Sequence, residues 1–138
     1  MIQLTIMTEP VAKGRPRVTT INGHAVAYTP RKTKNAEQMI QALIRTEILK
    51  FERFPAGMPL KLEAIFYREK PKSASKKVTM PVQRPDTDNY FKLLTDSCNG
   101  YLYADDAQIT TVHMSKRFCQ PGTSPRIELT ISEDKCID

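Results

Sequence analysis

The 138-residue chain lacks the marks of secreted, membrane and disulfide-stabilised proteins. No apolar run approaches the roughly 18 residues that a membrane-spanning helix needs. The first ten residues have no basic leader and a short apolar run, so they predict a strand and not a signal peptide. We therefore expect a cytoplasmic protein without a membrane segment.

Cysteine is scarce as well, and its spacing is informative. The three cysteines are Cys98, Cys119 and Cys136, and no two of them form a C-x-x-C pair. A disulfide framework or a zinc knuckle requires paired spacing, so both are excluded. Hydrophobic residues make up 40% of the chain and charged residues 26%, which is ordinary for a globular protein. We expect one domain over residues 1–138, because this length supports one hydrophobic core.

Acidic residues are missing where the basic residues concentrate. The first basic tract, residues 10–36, has no acid, and the second, residues 68–84, has Glu69 alone. The basic residues are Lys13, Arg15, Arg17, Arg31, Lys32 and Lys34 in the first tract, and Arg68, Lys70, Lys72, Lys76, Lys77 and Arg84 in the second. The first tract carries a charge of +6 and the second +5. Because the net charge of the whole chain is +6, the remaining residues together carry −5. Such tracts fit a polyanionic partner, although solvated surface loops often carry similar charge.

The hydrophobic pattern predicts strands at both ends of the chain and helices between them. Strand-like segments are residues 2–7, 17–21, 24–28, 60–67, 109–118 and 126–132. Asn22-Gly23 predicts a hairpin turn, because both residues tolerate a positive φ. Thr29-Pro30 predicts a helix N-cap followed by a first-turn proline, or a sharp entry to a helix that begins a few residues later.

The helical segments complete the predicted fold. Apolar residues recur at helical spacing over about 33–52, and a second helix begins after a cap at Asp86 or Thr87 and ends at Gly100. We expect a mixed α/β or α+β domain, with a mixed sheet of about four to five strands against two main helices. Residues 69–83, which contain prolines and several lysines, predict a mobile basic loop.

Two aspartates at the entry of the second helix carry the first chemical signal. Asp86 and Asp88 follow Pro85, which favours an extended backbone before it. Mg²⁺ in proteins usually takes one or two carboxylates together with waters and phosphate oxygens. The alternative is that these aspartates only cap the helix, where aspartate is favoured.

Further charged residues follow at helical spacing. Lys92 lies four residues after Asp88, and Asp96 lies four after Lys92, so the three share one stripe. A second acidic pair, Asp105-Asp106, follows the helix. Metal-binding carboxylates beside cations that hold a polyanion suit a phosphodiesterase. The alternative for the stripe is a surface ladder of salt bridges, in which Asp96 is the partner of Lys92.

The run RPDTDNYFKLLTDSCNGYLYADDAQI, residues 84–109, resembles the signature of the RusA family of Holliday junction resolvases. That signature contains R-x-D-x-D-N, a lysine four residues after the second aspartate, N-G at a helix end, and D-D-x-Q-[IV]. All of these elements stand here in order, over 26 of the 138 residues. Residues 13–17 and 28–30 also resemble the start of many members.

The resemblance implies a crossover junction endodeoxyribonuclease that acts in DNA recombination and repair. Its catalytic residues would be Asp86, Asp88, Lys92 and Asp106, with the three aspartates holding Mg²⁺ or Mn²⁺. It would cut four-way DNA symmetrically as a homodimer, in a bacterial host or a prophage. Asp105 matches a common acid of the signature and takes second rank.

The basic tracts supply the expected DNA contacts. These are Lys13, Arg15, Arg17, Lys72, Lys76, Lys77 and Arg84, which would bind phosphates and recognise junction shape. Two alternatives remain open at this point. One is a non-catalytic prophage DNA-binding module, and the other is a nuclease for flaps or forks.

Overall fold

A mixed four-stranded sheet and two helices form the structure, a computed structural model that describes residues 1–136. The strands are β1 (Ile2–Ile6), β2 (Arg17–Ile21), β3 (His24–Tyr28), β4 (Leu60–Arg68), β5 (Ile109–Phe118) and β6 (Arg126–Glu133), and the helices are α1 (Arg31–Glu47) and α2 (Thr87–Cys98). The main sheet has the order β1-β6-β4-β5, in which β4 and β5 are parallel and the other pairs antiparallel. This arrangement confirms the predicted α+β fold, and the last two residues of the predicted domain lie outside the described residues.

Rows of apolar side chains cross the sheet on the face that the helices cover. One row joins Ile6, Ile127 and Phe66, all of which are buried, and it ends at Lys116 on β5. The Phe66 ring stacks on Tyr90 of α2, with the ring centroids 5.5 Å apart. Alternating residues of a strand point to the same face, so this register fixes which side chains meet α2.

β2 and β3 form a separate hairpin that does not join the main sheet. Its turn has φ 51° at Asn22 and φ 79° at Gly23, which confirms the predicted Asn-Gly turn. All ten strand residues of the hairpin are exposed. The hairpin therefore projects from the body instead of contributing to its core.

Three helix boundaries differ from their predicted positions. Pro30 is the N-cap residue of α1 and has an extended backbone, so Thr29 is not the cap. A proline suits this place because the first turn leaves its backbone N–H groups without intrahelical partners. α1 ends at Glu47, and a short 3₁₀ helix continues it to Lys50. α2 ends at Cys98, two residues before Gly100, whose φ is 81°.

The remaining sequence expectations concern burial and irregular segments. Residues 69–83 contain no helix or strand, as predicted, and their mobility stays a prediction.

Cys98 is fully buried, and burial raises its pKa to about 12, so it is an apolar core residue at neutral pH. Within residues 1–136, neither helix has the length and hydropathy required to cross a membrane.

We predict that Leu94→Ala destabilises the domain by about 2–5 kcal/mol, because Leu94 of α2 is fully buried and the truncation leaves a cavity. Leu49→Ala is the matched control: Leu49 is 93% exposed, so the same truncation should change the free energy of unfolding by less than about 0.5 kcal/mol. Urea denaturation followed by circular dichroism measures both. Similar losses for the two variants would contradict the packing of α2 against the sheet.

Candidate active site

An open cleft lies where the first turns of α2 approach the start of β5. Its walls are formed by Asp88, Asn89, Phe91, Lys92, Thr95, Asp106, Ile109 and Val112. Three of the four residues predicted to be catalytic, Asp88, Lys92 and Asp106, therefore line one cavity. We call this cavity the acidic cleft.

Lys92 is held between two carboxylates in the acidic cleft. Its ammonium lies 3.1 Å from Asp96, one turn along α2, and 3.9 Å from Asp106. The predicted pair of Lys92 with Asp96 is thus present. The contact with Asp106 spans 14 positions of the chain and could not be predicted from helical spacing.

The surroundings of Asp106 raise the pKa of its carboxyl above the ordinary value. Burial raises its pKa, a hydrogen bond with Asp105 raises it further, and the Lys92 ammonium opposes both effects. The net shift is upward, so negative charge at Asp106 is not fully compensated by the protein. A cation bound in the cleft would favour the ionised carboxylate.

Asp86 and Asp105 are both helix N-cap residues, but only the side chain of Asp105 makes a capping hydrogen bond. Asp105 caps a 3₁₀ helix, Asp106–Gln108: its carboxylate accepts a hydrogen bond from the Ala107 N–H, and its own N–H donates to the Gln108 side chain. Asp86 is the N-cap residue of α2, yet its carboxylate makes no capping hydrogen bond. Helix capping therefore accounts for Asp105 and does not account for Asp86.

The donor set of the acidic cleft matches a hard divalent cation in kind. Asp88 and Asp106 supply two carboxylates, the number that Mg²⁺ commonly takes from a protein. Among residues 1–136, no three His, Cys, Asp or Glu side chains stand together as a closed metal cage. The two carboxylates thus fit an open site completed by water and phosphate oxygens. Asp86, the fourth residue predicted to be catalytic, is exposed at the entry of α2 and does not line the cleft.

Two basic side chains fix the segment that leads into Asp86. Lys116 of β5 donates to the carbonyl oxygens of Gln83 at 3.0 Å and Pro85 at 2.9 Å. Arg68, at the end of β4, donates to the Arg84 carbonyl at 3.2 Å. Sequence reasoning missed both roles. The available signal was the strand alternation, which places Lys116 on the face of buried Phe66.

The segment that follows β1, residues 9–17, crosses the helix pair, and we call it the strap. The Lys13 N–H donates to the Asn89 carbonyl of α2 at 2.9 Å. The Lys13 ammonium forms ion pairs with Glu37 of α1 and Asp96 of α2. Burial lowers the pKa of Lys13, but these two carboxylates raise it above its ordinary value. Lys13 therefore fastens the strap to both helices, an arrangement that gives no support to its predicted phosphate contact.

The other predicted DNA-contacting residues are exposed, and they lie in three places. Arg15 and Arg17 belong to the strap and the start of β2, Arg84 immediately precedes the anchored helix entry, and Lys72, Lys76 and Lys77 stand in the irregular segment 69–83. Their exposure leaves all six accessible to a polyanion.

An acidic cleft on a basic α+β domain is an arrangement suited to hydrolysis of phosphodiesters. Comparison with known proteins agrees with this class. Residues 8–132 match the family of the endodeoxyribonuclease RusA, and the chain belongs to that family of DNA-hydrolysing enzymes. It is also 34% identical over 142 residues to the uncharacterized protein YqaN of Bacillus subtilis (strain 168), with 96% of each chain covered. The resemblance in residues 84–109 is thereby confirmed at the level of the family.

We predict that Lys116→Met costs about 1–3 kcal/mol of stability, because it removes the charged donor from the Gln83 and Pro85 carbonyls. It should also speed hydrogen exchange at the Asn89 and Tyr90 amides, whose acceptor is the Asp86 carbonyl. Denaturant melts and exchange mass spectrometry measure the two effects.

The matched control is Arg117→Met, on the next residue of the same strand. Arg117 is exposed, and within residues 1–136 its side chain donates only to the neighbouring Lys116 carbonyl, so its loss should change stability by less than about 0.5 kcal/mol. Equal effects of the two substitutions would mean that Lys116 does not anchor the helix entry.

Proposed function

We propose that the protein is a metal-dependent endodeoxyribonuclease that resolves four-way (Holliday) DNA junctions by paired, symmetric hydrolysis in recombination and repair. The observation that carries the proposal is the convergence of Asp88, Lys92 and Asp106 on one open cleft. Membership of the RusA family supports it independently. A chromosomal or phage DNA substrate would place the enzyme in the cytoplasm.

The proposed site divides the chemistry between carboxylates and one ammonium. Asp86, Asp88 and Asp106 would hold Mg²⁺ or Mn²⁺, which lowers the pKa of bound water and offsets the charge of a phosphate. Lys92 lines the same cleft and would stabilise negative charge that develops on the scissile phosphate. Asp96 pairs with the Lys92 ammonium at 3.1 Å without lining the cleft.

DNA binding would draw on the exposed basic side chains. Phosphate contacts position a duplex without reading its sequence, which suits recognition of a branched shape. The proposed contacts are Arg15, Arg17, Lys72, Lys76, Lys77 and Arg84.

A homodimer would match the substrate, because a four-way junction has near-twofold symmetry and a C2 dimer presents two equivalent sites. β5 is an edge strand of the main sheet, and its Met114 is 40% exposed outside the residues that line the acidic cleft. An exposed edge strand with apolar side chains is a surface that a second copy would cover.

The decisive experiment compares a synthetic four-way junction with flap, fork and linear duplex substrates, with and without Mg²⁺. Paired nicks at symmetric positions of the junction, dependent on Mg²⁺ or Mn²⁺, are expected from a protein of dimeric mass by light scattering. Preference for flaps or forks would redefine the substrate. Binding without cutting under every metal condition would leave only a DNA-binding module.

We predict that Asp86→Asn, Asp88→Asn and Asp106→Asn each abolish cleavage while junction binding persists. Removing a negative charge does not weaken attraction to DNA, but it removes an anionic oxygen donor from the proposed site. Asp96→Asn removes the same charge from α2 and should keep most of the activity, because Asp96 pairs with lysines and does not line the cleft. A folded variant of any of the first three with full activity would remove that residue from the site.

We predict that Lys92→Ala lowers the single-turnover cleavage rate by about 10²-fold with little change in junction affinity, as expected for a group that acts mainly in the transition state. The comparison variant is Lys76→Gln/Lys77→Gln, in which both lysines are exposed in residues 69–83. This pair should weaken binding and lower the salt slope by about one to two units, while bound junction is still cut. If Lys92→Ala instead weakened binding as much and cut at the normal rate, Lys92 would be a phosphate anchor only.

A further inference from the structure

A second cavity lies beside the first turn of α2, on the other side from the acidic cleft. Alternate residues of that turn line the two cavities: Asn89 and Phe91 face the acidic cleft, and Tyr90 faces the second one. Pro85, the residue before Asp86, also lines the second cavity. The strap forms one wall, and we call the cavity the strap cleft. The strap cleft is therefore adjacent in the chain to Asp86, one of the proposed metal-binding residues.

The charges of the strap cleft favour an anion. Its basic residues are Arg15, Arg17, Lys32 and Arg68, and its acids are Glu9 and Glu69, so the net charge is +2. Among residues 1–136, Arg15, Arg17 and Lys32 form no ion pair and no side-chain hydrogen bond, in contrast to Lys13. A net charge of +2 is suited to one or two phosphodiester groups.

The walls of the strap cleft are held in place before any ligand binds. The Gly14 N–H donates to the Thr33 hydroxyl of α1 at 2.9 Å, which brings the strap backbone onto the helix. A Cβ at Gly14 would lie 2.7 Å from the Thr33 hydroxyl oxygen, so only glycine permits this approach. On the opposite side, Arg68 donates to the Arg84 carbonyl and to the Tyr90 hydroxyl, and a guanidinium has five N–H donors in all.

We propose that the strap cleft binds backbone phosphates of the strand that is cut, next to the scissile phosphate. The strand would pass from the strap cleft over the N-terminus of α2 into the acidic cleft. This inference rests on the proposed function, because it assumes a DNA substrate. It adds Lys32 and Arg68 to the DNA-binding residues and gives the strap a role in placing the scissile bond.

The first measurement compares two charge-matched double variants. Arg15→Gln/Lys32→Gln removes two cations from the strap cleft, and Arg31→Gln/Lys34→Gln removes two from the same helical turn of α1 but from a separate surface depression. Junction binding is titrated at several salt concentrations without divalent ions, so the readout does not need cleavage. The strap-cleft pair should weaken binding roughly tenfold or more and lower the salt slope by about two units, and the control pair should change both far less.

The second measurement locates the contact on the DNA. A junction with neutral methylphosphonates flanking the scissile phosphate should bind wild-type protein more weakly. The Arg15→Gln/Lys32→Gln variant should bind the methylphosphonate junction and the unmodified junction equally, because the contact that the methylphosphonates remove is already lost in this variant. Equal defects of the two double variants, or an equal methylphosphonate penalty in wild type and the strap-cleft pair, would overturn the inference and leave the proposed function intact. Wild-type protein that neither binds nor cuts branched DNA would overturn both.

Discussion

The anchoring of the α2 entry by Lys116 and Arg68 is the constraint on which the candidate site depends. Three backbone carbonyls, those of Gln83, Arg84 and Pro85, accept hydrogen bonds from cations on two neighbouring parallel strands. These hydrogen bonds to β4 and β5 therefore fix the position of the first turn of α2 relative to the sheet. With α2 so placed, Asp88 lines the acidic cleft two residues after the helix N-cap, and Lys92, one turn further, reaches Asp106. A helix free to shift by one turn would separate these groups by about 5 Å.

A second set of ion pairs fixes α2 along its length. Lys13 joins Glu37 of α1 to Asp96 of α2, and Asp96 in turn holds Lys92. Charges of alternating sign thus run from α1 to the cleft, and each is part-exposed. The energy of any one pair is modest in such surroundings, so their main effect is geometric: they limit the positions of Lys92. Lys13, which the sequence predicted to contact DNA, is thus a structural residue beside the candidate site.

The sequence predicted those features that depend on near neighbours in the chain. Strand alternation, the Asn22-Gly23 turn and the D-x-D-N entry to α2 all follow from local rules, and the structure has them at or near the expected residues. The contacts of Lys116, Arg68 and Lys13 were not predictable in this way. Each joins residues 16 to 83 positions apart, and the sequence around a charged residue does not show which distant carboxylate or carbonyl it will contact. The strap cleft could not be predicted for the same reason, because its lining residues come from five separate segments of the chain.

The projecting β2–β3 hairpin has a consequence for how such a protein can diverge. Its strand residues are all exposed and contribute nothing to the core, so substitutions there are largely uncoupled from folding stability. Selection can then act on the hairpin for function alone. Lengthening it, changing its tip or replacing its apolar residues would leave the acidic cleft and its anchors unchanged. Changes confined to this appendage can therefore accumulate while the body that carries the acidic cleft is inherited unchanged.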